Sequence, residues 1–168
     1  MHVSLAPWVP FFSATATAAA ALVGLIIVAM SVNVKAIVAI PTMPSRASST
    51  IANVMVVLIV SVVALVPVVG LAGLGVVLVL ATLLAGVLAG DAAVRLIRSR
   101  GDDASSPGRV SAIARGLLGI VPLVASLIAG IMLLVADGGG LVALAVAIVL
   151  IFIESVINAW VLMIEIRR

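Results

Sequence analysis

The chain has 168 residues, of which 65% are hydrophobic and 9% charged. An ordinary soluble domain is about half apolar and about a quarter charged. A soluble particle this small could not hide such an excess of apolar surface, so the composition points to an integral membrane protein.

The residue inventory excludes several chemistries. The chain has no cysteine and no tyrosine, and its only histidine is His2. Disulfides, thiolate metal sites, iron–sulfur clusters and cysteine nucleophiles are therefore out. So is a haem or zinc site built on histidine within the membrane, and no metal or cofactor is expected. The one lysine, Lys35, falls at a predicted helix end, too shallow for a retinal Schiff base. A Ser/His/Asp set cannot be assembled from these residues. The formal charge of +3 does not imply nucleic acid. The basic residues lie in short loops between apolar segments, where they serve topology.

Met1–Pro10 carries no Lys or Arg, so the basic region of a signal peptide is missing. The apolar stretch after it is also too long for a signal core. It reads as a retained first span.

Five apolar segments reach the ~20 residues that cross ~30 Å of hydrocarbon. The first runs over Phe11–Val32, with Trp8, Phe11 and Phe12 at its start as an interfacial belt. Its helix is expected to extend to about Ile40 before Pro41 and Pro44 break it. The second runs over Ile51–Val69 and the third over Leu74–Val94. Pro67, Gly70, Gly73 and Gly75 separate these two as a tight hairpin. Reading Ile51–Val94 as one long broken helix gives the competing count of four spans, but its length is about two crossings. A polar loop follows at 95–115, where Ser105 or Ser106 could cap a helix that begins with Pro107. The fourth span is Gly116–Val135. Asp137 to Gly140 turn the chain, and the fifth span is Leu141–Ile164. The expectation is an all-α, polytopic transmembrane helix bundle forming one domain over 1–168.

Charge gives the orientation. Lys35 and Arg46 lie in the first loop, and Arg95, Arg98, Arg100, Arg109 and Arg115 in the third. Arg167 and Arg168 close the tail. With five spans, all nine basic residues fall on one side. Positive residues stay inside, so the N-terminus is predicted outside and the C-terminus inside. Four spans would divide the basic residues between the two faces.

Small residues recur at four-residue spacing: Ala20 and Gly24, Gly86 and Gly90, Ser126 and Gly130. Such pairs let helix backbones approach closely in lipid. An alternative is that Ala and Gly are simply abundant here.

Ionisable residues inside a membrane are costly and mark function by default. Glu154, near the middle of the fifth span, is the one that qualifies. Asp91 and Arg95 are spaced as an interfacial i,i+4 ion pair. Glu154, Asn158 and Glu165 form one stripe of the fifth helix, and Arg115, Gly119, Pro122, Ser126 and Gly130 one stripe of the fourth. Folded as a hairpin turning near Gly140, these two spans set Ser126 level with Glu154. They also set Pro122 level with Asn158 and Arg115 level with Glu165. The Asn158 amide could then bond the Leu118 carbonyl that Pro122 leaves free, and Arg115 could pair with Glu165. A turn near Gly70–Gly73 sets Ser61 level with Thr82. The expected polar midplane is Ser61, Thr82, Ser126 and Glu154, with Asn158 below. The bland alternative for each hydroxyl is a bond to its own backbone. For Glu154 it is a neutral, hydrogen-bonded acid.

The segments Phe11-Phe12-Ser13-Ala14-Thr15-Ala16, Ala29-Met30-Ser31-Val32-Asn33 and Ile157-Asn158-Ala159-Trp160-Val161-Leu162 resemble small uncharacterised bacterial inner-membrane proteins of four to five helices. The resemblance implies a bacterial cytoplasmic membrane and carries no activity.

Two function classes remain. One is a homo-oligomeric ion or proton channel or transport-type protein that uses Glu154, with Asn158, Ser126, Ser61 and Thr82 along its pathway. The other is a non-catalytic accessory or assembly subunit of a larger membrane complex. An enzyme would need converging reactive groups that the inventory does not offer. The partners expected are the lipid bilayer, further copies of the chain or other membrane subunits. Anionic lipid headgroups are expected at the Arg-rich loop.

Overall fold

The computed structural model describes residues 4–32, 34, 43–99, 108–135 and 138–165, with side chains described over 4–32, 34, 48–88, 90, 120–135 and 138–160. Five α-helices follow a short 3-10 turn, Ala6–Trp8, and no strand occurs among the described residues. They are α1 (Val9–Val32), α2 (Met43–Ala64), α3 (Leu71–Ser99), α4 (Gly108–Leu134) and α5 (Gly139–Glu165).

Each helix packs on the next in sequence, and α5 returns to α2. Helices α2, α3, α4 and α5 thus close a ring. Helix α1 lies outside it, against α2, and touches α5 more lightly. The core is a set of one-sided stripes at helical spacing. Leu74 and Leu78 come from α3, Ala129 and Leu133 from α4, and Leu141, Leu144, Ile148 and Ile151 from α5. Val54, Val57 and Val60 come from α2, and Phe12, Ala19 and Ile26 fasten α1 to it. The outward faces are also apolar: Leu84 is 65% exposed, Val87 68% and Leu25 68%. Water would penalise such a surface and hydrocarbon would not.

Three helical segments are long and apolar enough to cross a membrane: Ala6–Val32, Leu71–Leu88 and Gly139–Trp160. The apolar stretches of the other two helices, Ser48–Ala64 and Ile120–Leu134, are shorter.

Several helix ends differ from the sequence expectation. Helix α2 begins at Met43, eight residues before the expected Ile51. Pro44 therefore lies in the first turn of this helix, and the expected extension of the preceding helix to about Ile40 with its break at Pro41 falls outside the described residues. In the first helical turn the missing N–H of Pro44 has no intrahelical partner to lose. The same helix stops at Ala64, short of Val69, and the chain turns through bonds from Leu65 N to Val62 O (3.1 Å) and Val66 N to Val63 O (3.0 Å). At the second hairpin, Gly139 and Gly140 belong to α5 and not to the turn. A Cβ on Gly140 would stand 2.9 Å from the Leu133 backbone nitrogen. The glycine is there for a close helix approach.

Of the small-residue pairs, the one containing Gly130 makes a tight crossing within the chain. A Cβ on Gly75 of α3 would come 2.9 Å from the Gly130 carbonyl oxygen, and one on Gly130 would come 2.7 Å from Val79 Cγ2. Gly24, Gly86 and Gly90 have nothing within 4 Å of such a Cβ.

Candidate functional site

Glu154 sits on the flank of α5 that faces α2. Leu144, Ile148, Ile151 and Ser155 form the buried stripe of α5, whereas Ile153, Val156, Ile157 and Trp160 are exposed. At 100° per residue, Glu154 falls on the border between the two sets, as does Asn158 one turn later. Both are half-buried.

The carboxylate is held by two neutral amides. Asn53 Nδ2 of α2 donates to Glu154 Oε2 at 2.9 Å. Asn158 Nδ2 donates to Oε1 at 3.0 Å. The first bond joins two helices far apart in sequence, and the second lies within α5. Each carboxyl oxygen therefore accepts one amide hydrogen bond. Helix direction explains how Asn53 reaches. Helices α2 and α5 run antiparallel, and side chains tilt toward the N-terminus of their own helix. Glu154 and Asn53 thus lean toward one another.

Asn53 was not expected at the site. It stands in mid-helix, about one and a half turns into the apolar stretch Ser48–Ala64, and is 3% exposed.

The expected midplane set is not gathered as a unit. Ser126 donates to the Pro122 carbonyl of its own helix at 2.8 Å. Ser61 meets Thr15 of α1 at 2.9 Å, well away from Glu154 along α2. Thr15 already donates to the Phe12 carbonyl at 3.1 Å, which leaves Ser61 as donor in that pair. Thr82 is buried, and its hydroxyl has no hydrogen-bond partner among the described residues. The Asn158 amide serves Glu154, not the Leu118 carbonyl.

The cause is hairpin register. Helix α4 ends at Leu134, α5 begins at Gly139, and Gly140 abuts Leu133. At 1.5 Å rise per residue from that contact, Glu154 stands about level with Gly119, and Ser126 about level with Ala147. A turn centred near Gly140 had displaced each pairing by about two helical turns. Likewise α2 ends at Ala64 and α3 begins at Leu71, which sets Thr82 about level with Asn53, and Ser61 with Leu74. The proposed pairs Arg115–Glu165 and Asp91–Arg95 involve side chains outside the described ones.

No protein-family model, curated protein or solved structure matches this chain.

Proposed function

We propose that the chain is a five-span protein of the bacterial cytoplasmic membrane, N-terminus out and C-terminus in. In this reading it works as a homo-oligomeric ion or proton conduit with Glu154 as its ionisable group. The observation that carries the reading is the Glu154 carboxylate, held by the Asn53 and Asn158 amides between two apolar helices. A carboxylate retained at such depth is costly. A bond to Asn53 alone would not require an acid, because a glutamine could join the same helices. Orientation rests on the basic residues, which all fall on the inner side of five spans. The Arg-rich stretch 95–115 then faces anionic headgroups, each basic residue contributing about 1 kcal/mol of attraction.

The test is flux from liposomes that contain the purified protein. Glu154→Gln keeps size and one acceptor oxygen, its NH2 being able to donate to an asparagine oxygen turned toward it, but it cannot ionise, and it is expected to abolish flux. Unchanged flux would overturn this role.

A second reading is an accessory subunit of a larger membrane complex. The open backbone at Gly86 and Gly90 favours it, since a partner helix could approach there. Purification in mild detergent separates the two. A single-component oligomer supports the conduit, and stoichiometric foreign subunits support the accessory role.

A further inference from the structure

Several hydroxyls in this bundle bond their own helix. Thr15, Thr17, Ser31 and Ser126 each donate to a carbonyl three or four residues back in their own helix. This is the ordinary refuge of a hydroxyl in lipid. Thr82 and Ser155 do not use it. Both are buried, at 4% and 0% exposure, and neither hydroxyl has a hydrogen-bond partner among the described residues. Asn53 Oδ1 is in the same condition, although its Nδ2 is spent on Glu154.

These three atoms share one region of the fold. Thr82 continues the inward stripe of Leu74 and Leu78 on α3, and Ser155 continues that of Ile148 and Ile151 on α5. Asn53 lies on the α2 face with Val57 and Val60. Thr82 and Asn53 stand about level, and Ser155 follows Glu154 directly. Three helices of the ring, α2, α3 and α5, thus each bring one unpartnered buried polar atom to a stretch roughly 10 Å long beside the Glu154 carboxyl. Toward the ends of these helices at Ala64, Leu71, Leu134 and Gly139 the interior is leucine: Leu74, Leu133, Leu141 and Leu144 are at most 1% exposed.

Unsatisfied buried polar groups are expensive, and ordered water usually satisfies them with about three bonds per molecule. We propose that the ring interior between Thr82 and Ser155 binds a short file of water, and that protons reach Glu154 along this file inside each subunit. The second half of the proposal rests on Glu154 handling protons. Thr82 and Ser155 supply hydroxyls that can both accept and donate, as a relay requires. The leucines close the file at the turn end. An axis between subunits is not needed.

Radiolytic hydroxyl labelling reads bound water directly, because radicals form where water is ordered. In the full-length protein in liposomes, Leu78 and Ile151, one turn from Thr82 and Ser155, are expected to be labelled despite their burial. The double variant Thr82→Val, Ser155→Ala is expected to lose that labelling and most of the proton flux. Thr82→Ser is expected to keep both, and Thr17→Ala on the outer helix to change neither. Unlabelled Leu78 and Ile151 in the unaltered protein would overturn the water file, leaving the role of Glu154 to stand or fall on Glu154→Gln alone. Labelling that disappears in the double variant while flux is unchanged would overturn the route.

Discussion

At the residue scale, the centre of the molecule is one carboxylate and two amides. Both bonds are part-buried, but the Asn53 bond crosses between helices from a buried amide, whereas the Asn158 bond stays within α5 between two half-buried residues. Leaving a buried polar group without its partner costs about 1–3 kcal/mol. Asn53→Ala is therefore expected to destabilise the bundle by that order, and Asn158→Ala by clearly less. Thermal unfolding of both variants in one detergent checks the ranking. The Thr15–Ser61 bond is of a different kind, because each hydroxyl has a backbone alternative. A double-mutant cycle with Thr15→Val and Ser61→Ala is expected to give a coupling near 0.6 kcal/mol, as polar pairs between membrane helices do. The importance of Glu154 was legible in the sequence because a lone acid in an apolar span stands out. Its partner was not, because the bond from Asn53 depends on how α2 packs against α5, two helices far apart in sequence.

At the element scale, the five helices were legible and their registers were not. Apolar runs of ~20 residues fix the existence of a helix, but the turn sets which residues lie level. Gly138, Gly139 and Gly140 read equally well as a turn or as a helix start. The contact of Gly140 with Leu133 decides for the helix, and that contact depends on a residue in another element. The small-residue pairs teach the same lesson. Ser126–Gly130 and Gly86–Gly90 are alike in sequence, yet only the first lies where α3 crosses α4. Gly75→Ala would press a methyl against the backbone of Gly130 and Leu134, whereas Gly86→Ala meets open space. The first is expected to cost about 1–3 kcal/mol, and the second to be neutral or slightly stabilising within the chain. If the Gly86 face receives a partner helix, Gly86→Ala would weaken the assembly without destabilising the subunit.

At the scale of the whole molecule, the apolar share of the composition resolves into a ring of four helices, an outer helix and an apolar exterior. The proposed arrangement, five crossings with all basic residues inside, gives a direct topological prediction. The absence of cysteine makes it simple to test, since any introduced thiol is unique. A cysteine replacing Ser4 is expected to react with an impermeant reagent added to intact cells, and one replacing Ser105 only after the membrane is opened. Labelling of both from outside would return the four-span count.

The central claim is that Glu154 is present for its charge and not merely for its hydrogen bonds. The most direct measurement is pH-gradient-driven proton flux into liposomes that hold purified protein, compared for the unaltered chain, Glu154→Gln and Glu154→Asp. The account predicts flux from the unaltered protein, none from the glutamine variant and reduced flux from the aspartate variant, whose shorter side chain still ionises. Equal flux from the unaltered protein and the glutamine variant would contradict it.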